Sequence, residues 1–155
     1  MGVDVHTMRS GDHLQLGEIS LHAVYPPAKV PEGASANEYS LVIRAEGPGF
    51  SMLLTGDIEE VGEEKLMEIS EDLFCDILKV PHHGGFCECS EEFFSLVDPS
   101  IAVISVGADN PYGHPARATV EDLQRGGCSV YRTDQGGDIV VHVVDGGFRV
   151  ESERR

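Results

Sequence analysis

The strongest constraint on the fold is an alternation of short apolar strands with helical stretches between residues 50 and 132. The strand patterns lie at Phe50–Leu54, 77–80, 101–105 and Ser129–Arg132. Apolar residues recur with helical spacing between them, at 58–69, Ser90–Val97 and 118–125. This order predicts an α/β (α+β) fold, with a mixed sheet and helices packed on one face.

Strand patterns without intervening helices flank this region. Before it, strands are predicted at His13–Leu16, 18–25 and 38–45, and the turn at 46–49 makes a hairpin with the strand at Phe50–Leu54. After it, 138–144 and 148–151 are predicted to pair through a turn at 145–147. The opening segment is therefore interpreted as antiparallel sheet.

Composition limits the classes of protein to which the chain can belong. Its 155 residues include 41% hydrophobic and 25% charged residues, as expected of one globular domain with a core. No apolar run approaches the roughly 20 residues of a membrane span, so we expect a soluble segment without membrane contact of its own. The net charge of −16 repels phosphate backbones and favours cations. General electrostatic binding of nucleic acid is thus disfavoured.

The acidic helix and the four cysteines indicate no ligand site. The acidic helix is interpreted as having a solvated face formed by Glu59, Glu60, Glu63 and Glu64. Cys87 and Cys89 are separated by one residue, which is too close for the usual Cys-x-x-Cys zinc knuckle. Cys75 and Cys128 adjoin apolar runs and are predicted to be buried. All four thiols are expected to be free.

Asp57 ends the run Thr55-Gly56-Asp57, where a strand gives way to a predicted helix. A carboxylate at a strand end can bridge two divalent ions in a phosphoryl-transfer site. The alternative is that Asp57 is the N-cap of the helix, which requires no metal.

Two adjacent histidines, His82 and His83, follow a buried strand and Pro81, and Gly84-Gly85 comes next. Adjacent side chains at a strand end point apart, so one imidazole could ligate a metal while its neighbour contacts a leaving group or orients a carboxylate. A polar turn without a function is the alternative.

His114 lies in the loop 107–115, which is rich in Gly, Asn and Pro and directly precedes a predicted helix. The loop is long for a simple connection, and free backbone N–H groups at the start of a helix suit an anionic oxygen. His114 could transfer a proton there. The alternative is a solvated surface turn.

These segments together resemble the C-terminal part of the metallo-β-lactamase-like domain of the ComEC family, the DNA-uptake channel proteins of competence. The matching segments are collinear and span nearly the whole chain: Asn37 with 40–44, 53–59, 78–84, 105–107 with Asn110, 112–115 and 130–134.

The resemblance implies an αββα sandwich that holds one or two divalent ions, zinc or manganese, and hydrolyses phosphodiester bonds in DNA. Asp57 would be a bridging metal ligand, and His83, or alternatively His82, would be another. His114 and His82 would be catalytic. The resemblance implies supporting roles for Asn37, Ser40, Gly84, Asn110 and Tyr112.

The chain also departs from that family. The His-x-His/Asp-x-Asp-His motif, which supplies most of the metal ligands, is absent, and so is the Gly-Gln-Gly-Asp turn before it; Gly85 stands where the family often has Ser. Asp57 and one histidine are too few ligands for stable zinc or manganese binding.

We therefore expect residues 1–155 to form a single partial domain that lacks the N-terminal metal-binding half. The isolated chain should be weakly active or inactive. The apolar sheet face would be covered by that half, by another chain or by self-association. The parent protein is expected in the plasma membrane, with this domain outside the cytoplasm. The alternative function is a non-catalytic binding module that retains the fold.

Overall fold

A computed structural model describes residues 5–70 and 72–154. Within them the strands are β1 His13–Leu16, β2 Ile19–Tyr25, β3 Val42–Gly47, β4 Phe50–Leu54, β5 Ile77–Lys79, β6 Ile101–Ile104, β7 Ser129–Arg132, β8 Ile139–Val144 and β9 Gly147–Ser152. The α-helices are α1 Glu60–Ile69, α2 Ser90–Val97, α3 Arg117–Arg125 and α4 Thr133–Gly136. A 3₁₀ turn covers Pro81–Gly84.

Strands β1 to β7 form one mixed sheet in sequence order. The strands from β1 to β4 pair antiparallel, and those from β4 to β7 pair parallel. The parallel strands are joined through α1, α2 and α3, and each of these helices contacts the next, as expected for crossovers of one hand on one face. The predicted α/β class, with a mixed sheet and helices on one face, is confirmed. The β8–β9 hairpin forms a separate two-stranded sheet.

The core lies between the parallel strands and the helices. Leu53, Leu78 and Ala102 are aligned across β4, β5 and β6 and are almost fully buried. They belong to the same apolar cluster as Leu66 of α1 and Phe93 of α2. Burial of each leucine or phenylalanine side chain contributes about 1.5–3 kcal/mol to folding. This layer fixes the strand ends from which the functional loops extend.

The opposite face of the sheet is less covered. Ile43, Met52, Leu54 and Val103 are only partly buried there. Strands β1 and β2 also expose apolar side chains, with Leu16 54% and Leu14 46% exposed. The expectation that a further partner covers the sheet stays a prediction.

Three predictions near the start of α1 were wrong. The strand predicted at 38–45 begins at Val42, because residues 36–39 form a turn. The helix predicted from residue 58 begins at Glu60, and Asp57 is not its N-cap. The backbone N–H of Gly62 instead donates to the carboxylate of Glu38, 2.8 Å away. A residue distant in sequence therefore supplies the cap, and it leaves Asp57 free for another role.

Burial corrects one further prediction and confirms another. Glu63, predicted to be solvated, is only 2% exposed. The four cysteines are free, as predicted, and Cys75 and Cys128 are buried. The short helix α4 was not predicted.

Candidate functional site

The carboxyl ends of β4, β5 and β6 bring three loops to one edge of the sheet. Parallel strands end on the same side, which is where open α/β sheets place their ligand sites. The buried Thr55 hydroxyl donates to the carbonyl of Lys79 (2.7 Å), and the His82 N–H donates to the carbonyl of Gly56 (3.4 Å). These bonds hold the Asp57 loop beside the histidine turn. We call Asp57, His82, His83 and His114 the histidine rim.

The histidine turn has an unusual backbone. His82 and His83 have φ values of +42° and +56°, in the left-handed region that side chains other than glycine seldom adopt. Each such residue costs on the order of 1 kcal/mol or more, and these conformations persist where the surroundings enforce them. The predicted turn is therefore present, but its backbone is held in a constrained conformation.

Gly84 packs closely against the loop that carries His114. Its φ is +77°, and a Cβ atom there would lie 2.7 Å from Cβ of Pro115 and 3.2 Å from Cγ2 of Ile104. The carbonyl of Gly84 accepts a 2.8 Å hydrogen bond from the N–H of Ala116. Only glycine fits this conformation and this close approach.

The ring of His83 has a defined tautomer. Its Nδ1 lies 2.7 Å from the carbonyl oxygen of Ser105. A carbonyl only accepts, so Nδ1 carries the proton, and in the neutral ring the lone pair is on Nε2. That Nε2 faces Oδ1 of Asp57 at 3.7 Å. A backbone carbonyl on the far nitrogen is the usual way in which a protein orients a metal-binding histidine.

Lys79 contacts the same oxygen of that carboxylate. Its Nζ lies 2.5 Å from the carbonyl oxygen of Gly56 and 3.4 Å from Oδ1 of Asp57. Burial lowers the pKa of Lys79, and the charge of Asp57 opposes that shift. Asp57 therefore lies between an amine and an imidazole.

His82 belongs to a different chain of contacts. Its Nδ1 is 3.4 Å from Oε1 of Glu59, and the amide nitrogen of Asn37 donates to that same oxygen at 2.8 Å. Asn37 therefore reaches the rim through Glu59. Glu59 was assigned to a solvated helix face, and its contact with His82 was not predicted.

His114 lies across from His82, with ring centroids 5.3 Å apart. The ring of Tyr112 stacks with that of His114, with centroids 5.9 Å apart. Burial lowers the pKa of His114, and the neighbouring His82 and His83 lower it further. A neutral imidazole is thereby favoured, and it is able to accept a proton.

Asn110 fixes the loop that carries His114. Its side-chain oxygen accepts from the N–H of His114 (3.0 Å), and its side-chain nitrogen donates to the carbonyls of His114 (2.7 Å) and Gly107 (3.0 Å). The loop therefore has an internal hydrogen-bonded frame that fixes the position of the imidazole.

Ser40 has a structural place beside the rim. Its hydroxyl donates to the carbonyl of Ala36 at 3.4 Å, while its Cβ lies 2.9 Å from where a Cβ on Gly56 would be. Gly56 has a φ of +57°. Ser40 thus packs against the Asp57 loop, and within the described part of the chain its side chain forms no hydrogen bond to the histidine rim.

Named proteins match this sequence over most of its length. It is 41% identical over 138 residues to ComE operon protein 3 of Bacillus subtilis (strain 168). The aligned region covers 89% of the chain and 18% of that protein. It is 33% identical over 119 residues to competence protein ComA of Neisseria gonorrhoeae, covering 76% of the chain and 17% of that protein. The chain belongs to the ComEC family of competence proteins. Recombination protein 2 of Haemophilus influenzae (strain ATCC 51907 / DSM 11121 / KW20 / Rd) is a third relative, 32% identical over 76% of the chain and 15% of its own length.

The chain spans less than a fifth of the length of these ComEC-family relatives. No protein-family model matches it. The resemblance on which the sequence reasoning relied is confirmed, while the roles of the individual rim residues stay predictions.

Proposed function

We propose that this chain is the C-terminal share of a metal-dependent phosphodiesterase domain that acts on DNA during DNA uptake. The observation that carries the proposal is the facing pair of Asp57 and His83. Oδ1 and Nε2 are 3.7 Å apart. Two ligands of one zinc ion, each about 2.1 Å from it at a tetrahedral angle, would be about 3.4 Å apart. The pair therefore has nearly the spacing of two ligands of one ion.

The donor chemistry fits zinc or manganese. Asp57 offers a carboxylate, and His83 offers a lone pair on Nε2 because its Nδ1 is bonded to Ser105. Side-chain exposures of 41% and 45% leave room for further ligands. Two protein ligands are nonetheless fewer than the four or more that such ions prefer. Under this proposal the remaining ligands come from other parts of the parent protein or from another chain, and this chain alone binds the ion weakly.

The other rim residues have distinct tasks in this proposal. A divalent ion at Asp57 and His83 would supply Lewis-acid stabilisation of a phosphate oxygen. His114, favoured in its neutral form, would move a proton at the substrate, with Asn110 holding its loop and Tyr112 stacked on its ring. His82 would stay oriented by Glu59 and assist at the leaving group.

Charge separates this role from general DNA binding. The net charge of −16 repels a phosphate backbone, so contacts that hold the DNA strand would come from outside this chain. Within the residues that the structure describes, each helix is too short or too polar to be a membrane span. A parent protein in the plasma membrane, with this domain outside the cytoplasm, is part of the proposal.

The test is a graft into the Bacillus subtilis relative, in which this chain replaces the matching 138-residue segment. The readout is transformation frequency, with the protein level checked by immunoblot. Asp57→Asn and His114→Gln are expected to lower transformation by about 100-fold or more, since a metal ligand and a general acid–base group each contribute effects of this size. His22→Gln, on β2, is the matched control and should leave transformation unchanged.

Full transformation with Asp57→Asn at normal protein level would favour the non-catalytic binding module. Such a module needs the fold but not the carboxylate. Loss of transformation with His22→Gln as well would also count against the proposal, because the effect would then not be specific to the rim.

A further inference from the structure

A second group of ligand-type side chains lies where α1 meets the segment before α2. Glu63 of α1 faces Cys87 and Cys89, and one ligand atom from each lies within 4.8 Å of the others. We call these three residues the thiol cluster. None of its members belongs to the histidine rim.

The contacts within the thiol cluster are close. Sγ of Cys89 donates to Oε2 of Glu63 at 3.4 Å, and the two sulfur atoms are 2.9 Å apart. The Ser90 hydroxyl donates to the same carboxylate oxygen at 3.2 Å. Cys89 and Ser90, which donate to the carboxylate of Glu63, are both uncharged donors.

The burial of Glu63 makes the cluster unusual. Its exposure is 2%, and burying a carboxylate costs free energy unless a cation or strong hydrogen bonds compensate. Within residues 5–70 and 72–154, no ion pair involves Glu63. Burial accordingly raises the pKa of Glu63 and of both thiols. The cluster therefore contains a buried carboxylate without a cationic partner among the described residues.

The ligand chemistry selects the class of cation. Two sulfur atoms and one carboxylate oxygen form a soft set suited to zinc and its thiophilic relatives rather than to magnesium or calcium. Two thiolates on one tetrahedral zinc, each about 2.3 Å from it, would lie about 3.8 Å apart. The sulfurs would have to separate by roughly 1 Å, which side-chain rotation can supply. Cys87 and Cys89 are only partly buried, so an ion can enter and a water molecule can fill a fourth position.

We propose that Glu63, Cys87 and Cys89 form a binding site for one thiophilic divalent cation of the zinc class, separate from the histidine rim. Binding replaces the thiol protons and any proton on Glu63, which pass to solvent. The bound ion would compensate the buried carboxylate and join α1 to the start of α2.

A disulfide between Cys87 and Cys89 is the competing state. It would satisfy the sulfur atoms but remove the Cys89 donor, leaving the buried carboxylate with the Ser90 hydroxyl. The position of Glu63 therefore favours the cation.

Such an ion would also connect the loops that carry the rim. Sγ of Cys89 is 3.8 Å from the carbonyl oxygen of Glu60, at the first residue of α1. The preceding residue, Glu59, contacts His82. An ion in the cluster would thus fix the start of α1 relative to the histidine turn.

Titration of the fully reduced, metal-free chain with Co²⁺ tests the proposal. Thiolate-to-cobalt charge-transfer absorption in the near ultraviolet reports sulfur ligation, which Asp57 and His83 cannot produce. We expect one equivalent of Co²⁺ to develop this absorption and one equivalent of Zn²⁺ to remove it. Cys87→Ser and Cys89→Ser should each abolish most of it, and Glu63→Gln should weaken Co²⁺ binding about tenfold or more.

Three variants are matched controls. Cys75→Ser and Cys128→Ser remove thiols outside the cluster, and His83→Gln removes the proposed ligand of the rim; each should retain the absorption. Circular dichroism verifies that every variant is folded.

The proposal is overturned if no charge-transfer absorption develops, or if it persists in folded Cys87→Ser. It is also overturned if the unreduced chain, denatured so that the buried Cys75 and Cys128 react, shows two titratable thiols instead of four, and the reduced chain binds no cobalt through sulfur. That outcome would identify a disulfide pair.

Discussion

The histidine rim and the thiol cluster contain similar numbers of ligand atoms but differ in position, exposure and ligand type. The rim lies at the carboxyl edge of the sheet, keeps side-chain exposures of 32% at His82 and 45% at His83, and offers oxygen and nitrogen. The thiol cluster lies between helices, contains a buried carboxylate and offers sulfur. Exposed oxygen and nitrogen ligands suit an ion that must meet a substrate, whereas two sulfur ligands beside a buried carboxylate suit an ion that fixes structure.

The two sites also differ in how the chain holds them. The rim depends on a constrained turn, with left-handed His82 and His83 and with Gly84 pressed against Pro115. The thiol cluster depends on one contact between α1 and the residues before α2. Substitutions that oppose the constrained backbone, such as replacement of Gly84, should therefore disturb the rim more than the cluster. Substitutions of the ligand side chains should determine whether the cluster binds an ion.

The largest expected effect separates the two histidines of the turn. His83→Gln should weaken Mn²⁺ binding by about 100-fold or more, which takes an already weak site to an undetectable one, because it removes a proposed direct ligand. His82→Gln should change Mn²⁺ affinity less than about tenfold, since His82 contacts Glu59 instead of Asp57. Calorimetric titration measures both, and Cys87→Ser should leave Mn²⁺ affinity unaltered. Equal losses for the two histidine variants would contradict the assignment.

A pair of glycines tests the constrained backbone. Gly84→Ala should lower the free energy of unfolding by about 2–3 kcal/mol, because the positive φ and the contact with Pro115 both oppose a Cβ atom. Gly113→Ala has nearly the same φ, +73°, but nothing within 4 Å of its added Cβ, so it should cost only about 1 kcal/mol. Urea denaturation compares them. Equal costs would show that the contact with Pro115 contributes little.

The strands and the histidine turn were predicted because their signals are local, while the thiol cluster was missed because its geometry is not. The spacing of Cys87 and Cys89 argued against a site, yet Glu63, 26 residues before Cys89, meets their sulfur atoms in space. The cap of α1 was missed for the same reason, since Glu38 reaches Gly62 from a distant turn. Periodicity identifies elements, but it does not show which polar side chains meet across them.

Replacement of Lys79 is expected to strengthen Mn²⁺ binding at the histidine rim. Lys79→Met removes a positive charge 3.4 Å from Oδ1 of Asp57, and losing that competitor should tighten Mn²⁺ binding about fivefold, equivalent to about 1 kcal/mol of screened repulsion. Lys65→Met on α1 is the matched control for net charge. Isothermal titration is the measurement, and weaker binding after Lys79→Met would mean that the amine supports the rim.

Tyr25 is a buried polar residue that contrasts with Glu63, whose carboxylate accepts hydrogen bonds from Cys89 and Ser90. Its side chain is fully buried, and among the described residues its hydroxyl has no hydrogen-bond partner. Tyr25→Phe should raise the free energy of unfolding by up to about 1 kcal/mol, because an unsatisfied group is removed.

The same residue has a pH signature. Burial, and secondarily the charges of Tyr39 and Glu38, raise the pKa of Tyr25 from 10.0 to about 12. The unfolded chain therefore loses this proton at lower pH than the folded one, so stability falls as pH rises from 10 to 12. Denaturation across this range should show a steeper decline for the unaltered chain than for Tyr25→Phe. Parallel declines would contradict the shift.

The central claim is that Asp57 and His83 are two ligands of one metal site. Its most direct test is paramagnetic broadening by Mn²⁺ in the ¹H–¹⁵N spectrum. At substoichiometric Mn²⁺, we predict that amide signals of Gly56, Asp57, His83 and Val106 broaden first, and that Asp57→Asn abolishes this pattern while the exposed Asp109→Asn preserves it. Broadening that is spread over the acidic surface, and unchanged in Asp57→Asn, would contradict the account.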